Sequence, residues 1–430
     1  MAKVFENVVI FDGTGSSPFP GEVRVEGNRI TAVAKGSQKI SQEGAEVIDG
    51  QGATLMPGLC EPHAHITYPD MLKLRELGET PPEEHVFVTM HNARKMLEAG
   101  FTSLYSAASS KPRTEVVVRN EINAGRIQGP RFRAASPEIV STGGLGDERQ
   151  LHMYHQGIEI IADGVDEIRR TVRTCIREGV DQIKINISGD NFVRLGQDGA
   201  CTYTEEEVKA AADEANERGV ALSCHSRADK SVRMALKFGF RVLYHCEHST
   251  DETLDLIEAA KDRIFLAPAI GANYRLAHHA QEWGITHDVA ERMGVFKTIE
   301  QTAQVYNKLR KRGVRVMPGG DYGFIWNPIG TNARDFEYFV NLFGYTPAET
   351  LSAATMLGGQ IMDMPDLGLV KEGFLADLLL VDGDPTADIK ILQDRDNLLM
   401  IMKDGAYFKA PRPRRKTGKG SARTREMADA

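Results

Sequence analysis

The chain has 430 residues, 41% of them hydrophobic, 26% charged and 7% aromatic. This composition excludes a disordered, collagen-like or disulfide-scaffold protein. The formal charge is −8; the last 22 residues carry eight Lys/Arg against two Asp/Glu, which leaves −14 on the rest and argues against nucleic acid as a partner. No apolar run approaches the ~18 residues of a membrane span. The start, MAKVFENVVIF, places Glu6 and Asn7 where a signal peptide needs an unbroken apolar core. Five scattered cysteines without a CxxC fit a reducing, cytoplasmic setting.

Residues 1–57 read as short strands with turns at Asp12-Gly13, Glu26-Gly27 and Asp49-Gly50. Along Glu22-Val23-Arg24-Val25-Glu26 the side chains alternate between a wet and a buried face. Eight β-rich runs follow, at 53–65, 101–107, 130–137, 181–189, 220–226, 240–246, 263–270 and 314–321. Helical stretches such as 205–219, closed by Gly219, lie between them. Eight such units over about 260 residues predict an α/β fold of the (β/α)8, TIM-like barrel type. Strand patterning returns in GLVKEGFLADLLLVDGDP and LLMIMKDGAYF. Neither end alone has enough strands to bury a face, so the two are expected to pair. The predicted organisation is a composite β-sandwich from 1–57 plus 366–410, a barrel over 58–365, and a flexible basic tail at 411–430.

Barrel enzymes carry their sites at the C-terminal ends of the strands. Here the first run ends in His63-Ala64-His65, the fourth carries Lys184, the fifth His225, the sixth His245 and the eighth Asp321. A single His-x-His is weak evidence; five strand ends each bearing a metal-capable side chain is strong. Spaced by two on a strand, His63 and His65 project on one face and can reach one ion. His225 and His245 add neutral imidazole nitrogens, which zinc takes at about 2.0–2.1 Å. Lys184 cannot ligate while charged, but as a carbamate it becomes an anion able to bridge two cations. Asp321 can ligate and also carry a proton.

The segment MPGLCEPHAH resembles the first-strand motif of the amidohydrolase superfamily. DQIKINISGD is similar to the bridging-lysine strand of its imidazolonepropionase-like branch, and SCHS, LYHCEHSTDET and GVRVMPGGDYG resemble the strands bearing two further histidines and the aspartate. ETLSAATMLGGQIM and LGLVKEGFLADLLLVDGDP resemble its closing helix and return strand, so the likeness spans roughly 5–405. Position by position it implies His63, His65, Lys184, His225, His245 and Asp321 as a binuclear site. The cofactor expected is two divalent cations, zinc first, with Lys184 N6-carboxylated; iron, manganese and cobalt suit the same donors. The resemblance also implies a homo-oligomer. Within the superfamily the chain is similar to the phenylurea and molinate hydrolases and to the Xaa-Pro dipeptidase and ochratoxin-hydrolase-like amidases. It departs at Thr142-Gly143-Gly144-Leu145, where relatives usually end in His, and at Gly319-Gly320-Asp321, where many read Gly-Thr-Asp.

For the pocket, the third-strand loop offers His152 and Tyr154, and the eighth-strand loop Tyr322 and Trp326, aromatic groups that suit flat apolar substrates. Arg227 is the obvious cation for a substrate carboxylate, with Arg149 a poorer one. Cys224 and Cys246 adjoin two proposed ligands but point to the opposite strand face. His248 competes with His245 for the ligand role, and the spacing to Asp251-Glu252 favours His245. The reading is a metal-dependent hydrolase of a non-peptide C–N bond in a small amide, urea or carbamate, N-aryl compounds included. Asp321 moves the proton, and His245 helps hold the surroundings of the oxyanion. The alternatives are a dipeptidase or N-acyl-amino-acid amidase, then a deaminase, against which the lysine argues.

Overall fold

The computed structural model describes residues 2–152, 157–191 and 194–414. Parallel strands follow in chain order: Leu59–Ala64, Phe101–Ser106, Arg131–Arg133 with Ala135–Val140, Gln182–Asn186, Ala221–Ser226, Val242–His245 and Phe265–Ala267. The first three and the remaining ladders form two sheets joined at Ala134, whose carbonyl accepts the Asp181 N–H at 2.8 Å. All residues of Leu59–Ala64, Phe101–Ser106 and Gln182–Asn186 are buried, the pattern of a parallel sheet covered on both faces.

The eighth run is reduced to a single parallel bridge between Val316 and Leu266. Among the described residues no ladder joins it to the first strand. Gly319 packs directly on that strand instead; a Cβ there would lie 2.8 Å from Pro62 Cγ and 2.9 Å from His63 Cβ. The run at 53–65 is also divided. Thr54–Pro57 pairs antiparallel with Leu378–Val381, whereas Leu59–Ala64 enters the parallel sheet. Gly58 makes the junction, its N–H donating to the Asp377 carbonyl at 2.8 Å.

Both chain ends share one eight-stranded sheet. Its path runs Ala406–Lys409, Leu398–Lys403, Leu378–Val381, Thr54–Pro57, Ala2–Ile10, Phe19–Glu26 and Arg29–Lys35, with Ala45–Asp49 beside Ala2–Ile10. It encloses its own core around Phe5, Leu55, Leu378 and Met400. The predicted flexible tail lies largely outside the described residues, but Arg414 Nε ion-pairs with Asp382 at 2.6 Å. Among the described residues no helix is long and apolar enough to cross a membrane.

The helices start where local chemistry dictates. Glu205–Asn216 and Pro347–Ile361 each open with a Thr/Glu capping box, at Thr204/Glu207 and Thr346/Glu349, which satisfies two orphan N–H groups at each helix start. Pro347–Ile361 lies against the first parallel strand, with Gly358 directly over Cys60.

Candidate metal centre

His63, His65, Lys184, His225, His245 and Asp321 line one cavity of about 80 Å³. His63 Nε2 and His65 Nε2 stand 3.7 and 3.2 Å from the same Asp321 Oδ1. These three residues form a possible metal site, their ligand atoms all lying within 4.8 Å of one another. The His225 and His245 rings are 4.3 Å apart, and those of His63 and His245 5.6 Å. Lys184 is buried in the same wall, its Nζ 3.7 Å from Glu138 Oε1 and over the Tyr244 ring.

The outer contacts decide which nitrogens face the cavity. His65 Nδ1 donates to the Ala108 carbonyl at 3.2 Å, so its Nε2 lone pair faces the Asp321 carboxylate. His225 Nε2 meets the Gly189 carbonyl at 3.2 Å, leaving Nδ1 as its lone-pair nitrogen. His63 Nδ1 and His245 Nδ1 are buried without a hydrogen bond among the described residues. Imidazoles fixed by backbone carbonyls on one nitrogen are the usual outer arrangement of metal ligands. The donor set of four imidazoles and a carboxylate therefore fits a divalent cation.

Electrostatics point the same way. Burial holds His63, His225 and His245 well below the ordinary imidazole value, so they are neutral donors. Burial pushes the Asp321 carboxyl up, but the neighbouring His63, His65 and Lys184 overcome this and hold it well below the usual carboxylate range.

Two of these residues sit in the left-handed backbone region that L side chains rarely adopt: His245 at φ 74° and Asp321 at φ 58°. Tyr306 Oη donates to the His245 carbonyl at 2.6 Å and Asn327 Nδ2 to the Asp321 carbonyl at 3.3 Å. Such strain persists where the surroundings over-determine it, and it clusters at functional sites.

The pocket residues divide. Trp326 lines the cavity with Phe324 stacked on it at 5.1 Å, and Tyr68 stacks on His65 at 4.3 Å. Leu145, at the position where a polar group is usual, lines it as well. Arg227 lines it too, ion-paired with both Asp190 (2.6 Å) and Glu247. Tyr322 is not in the lining: its hydroxyl donates to Asp335 Oδ1 at 2.9 Å, behind the site. His152 is exposed on its loop and does not line the cavity, and Tyr154 lies outside the described residues. His248 pairs with Asp198 at 3.1 Å instead of joining the cavity, and Arg149 pairs with Glu159 at 2.9 Å. Cys224 and Cys246 are buried, and burial pushes the Cys224 thiol up to about 12.

Glu138, Asp190 and Tyr68 were not read as cavity residues from the sequence. Glu138 carried a signal: it follows Ser136 by two on the third strand and so shares its face. Its Oε2 accepts from Asn186 Nδ2 at 2.9 Å, which aims its other oxygen at Lys184.

Comparison with known proteins adds to this geometry. A model of the amidohydrolase family matches residues 54–407. Ochratoxinase of Aspergillus niger is 26% identical over 380 residues, covering 83% of this chain and 76% of its own. An imidazolonepropionase of Anaeromyxobacter dehalogenans is 22% identical over 395 residues, 83% of each. Among solved structures, a Xaa-Pro dipeptidase with bound methionine superposes with TM-score 0.81 at 25% identity, over 95% of this chain and all of that one. Phenylurea hydrolase B superposes with TM-score 0.73 at 21% identity, over 95% and 96%.

Proposed function

Because the chain belongs to the amidohydrolase family and is a hydrolase of amide-type C–N bonds, we propose that it is a metal-dependent enzyme whose substrate is a small non-peptide amide, urea or carbamate, N-aryl compounds included. The observation that carries this is the convergence of His63, His65, Lys184, His225, His245 and Asp321 on one aromatic-walled cavity. His63, His65, His225, His245 and Asp321, together with Lys184 once carboxylated, would hold the cations. A divalent cation supplies an activated water and polarises the scissile carbonyl.

The remaining work falls to side chains. Asp321, held ionised, accepts a proton from the attacking water and delivers it to the departing amine nitrogen. Tyr68, Phe324 and Trp326 give a flat apolar substrate its bed and displace water from it.

A second reading, an amidase or dipeptidase acting on an acyl-amino acid, is favoured by Arg227 in the cavity wall and by the likeness to ochratoxinase. Arg227 is already matched by two carboxylates, Asp190 and Glu247. The trio carries no surplus positive charge for a third carboxylate, which favours the first reading. The two are separated by assaying N-aryl amides, ureas and carbamates against N-acyl-amino acids and their methyl esters. The proposal requires turnover of substrates lacking a carboxylate; strict dependence on a free carboxylate contradicts it. Asp321→Asn should lower kcat at least ~10²-fold with most metal retained; retained activity removes Asp321 from proton transfer.

A further inference from the structure

The helix Ile270–His279 borders two cavities. Ala272, Asn273 and Leu276 line the catalytic one. Tyr274, Arg275 and His279 line a second, of about 250 Å³, which Arg334 and Tyr338 of the helix Arg334–Phe343 complete.

This second cavity carries two arginines against a single carboxylate. Arg275 and Arg334 are both half-buried, and neither forms an ion pair among the described residues. Arg275 Nε donates to the Trp326 carbonyl at 2.9 Å, and Arg334 Nη1 reaches only Thr331 Oγ1 at 3.5 Å. The remaining guanidinium N–H groups make no hydrogen bond among the described residues. The lining holds one carboxylate, Glu337, and that is engaged by Gln393 Nε2 at 2.9 Å. By contrast, Arg131 is paired with Asp377 and Asp404, and Arg227 with Asp190 and Glu247.

Two further features aim at a ligand. Tyr338 is only 8% exposed, and its hydroxyl, the part that still reaches solvent, makes no hydrogen bond among the described residues. Its ring packs against Tyr274 at 4.5 Å, which leaves the hydroxyl as its one polar group. Arg334 is the first residue of its helix, where the helix dipole adds positive potential to the guanidinium. Burial and the Arg334 charge together disfavour the Arg275 cation, a cost that an anion between them removes.

We propose that this cavity is a second ligand site, binding a small oxyanion, carboxylate or phosphate, through Arg275, Arg334 and the Tyr338 hydroxyl. Forked guanidinium donors match both groups. The Arg275–Trp326 hydrogen bond ties the site to the wall of the catalytic cavity, so occupancy is read by Trp326.

The test is titration of the full chain with inorganic phosphate and, separately, benzoate, followed by tryptophan fluorescence and by Tm. Saturable binding of at least one is expected, with a Kd raised tenfold or more in Arg334→Gln and severalfold in Tyr338→Phe. Preference for phosphate or benzoate identifies which oxyanion the site takes. Arg334→Gln relieves repulsion with Arg275, so its Tm in anion-free buffer should equal or exceed that of the parent; a folding defect is thereby distinguished from lost binding. Absence of saturable binding of either probe, or an unchanged Kd in Arg334→Gln, overturns the proposal. So does a change of oligomer size in that variant, which would assign the arginines to a contact between subunits.

Discussion

At the scale of single residues, the site depends on groups that never face the cavity. His245 is held in a left-handed backbone conformation whose carbonyl is caught by Tyr306 Oη. Tyr306→Phe leaves that buried carbonyl without its partner, which costs about 1–3 kcal/mol. We expect a lower Tm together with weaker metal retention on dialysis against a chelator; unchanged retention would show that His245 needs no such clamp. Buried carboxyls give a second residue-scale effect. Glu115 is fully buried, and burial pushes its carboxyl up to about 8. Its contribution to stability is complete below the unfolded value near 4.5 and is lost as pH rises through about 8. Glu115→Gln removes this loss, so the Tm of the variant should gain on the parent between pH 5 and pH 8, by an amount equivalent to a few kcal/mol. Parallel Tm curves would refute the assignment. The six cavity residues were legible because each sits in a short motif at a strand end. Tyr306 and Glu115 were not, because their roles arise from contacts between separate elements, and Asn327 was not, because its bond to the Asp321 carbonyl depends on how the loop folds back.

At the scale of elements, close approaches between chain segments decided what periodicity alone left open. The run at 53–65 reads as one strand, but Gly58 lets two ladders meet there, since any Cβ at that position would overlap the Thr102 side chain. The third run reads as ending at Pro137, a residue that normally closes a strand. It continues to Val140 and so carries Glu138 into the cavity. The eighth run has the composition of a strand but contributes one bridge, because Pro318-Gly319-Gly320 passes tightly beneath the site. Gly358 has the same character: a Cβ there would overlap that of Cys60, three residues before His63. Gly358→Ala gains up to ~1 kcal/mol of helix propensity but overpacks this contact, typically by about 1–3 kcal/mol. The expected outcome is a lowered Tm and reduced activity, measured together on the purified variant. A raised Tm would mean that the helix can move off the strand at no cost.

At the scale of the whole molecule, the two ends of the chain form one structural unit that braces the parallel sheet. Arg131 on the third parallel strand pairs with Asp377 at 2.9 Å and with Asp404, linking that sheet to the terminal one. A chain ending at residue 397 loses Leu398–Lys403, whose first five residues are buried, and exposes the edge of Leu378–Val381. Such a bare apolar edge is an aggregation site, so the truncated chain should be recovered in the insoluble fraction; a soluble, active product would contradict the account. The pairing of the ends was legible from matching strand patterns at both termini. Their merger into a single eight-stranded sheet was not, because register across more than 300 residues leaves no local signal. The central claim is that Lys184 and its five neighbours form a two-cation hydrolytic centre, and elemental analysis of metal per chain tests it most directly. The account predicts near two metals in the wild type, falling to one or fewer in Lys184→Ala with loss of turnover. One metal in both proteins would make Lys184 a structural partner of Glu138 and contradict the two-cation centre.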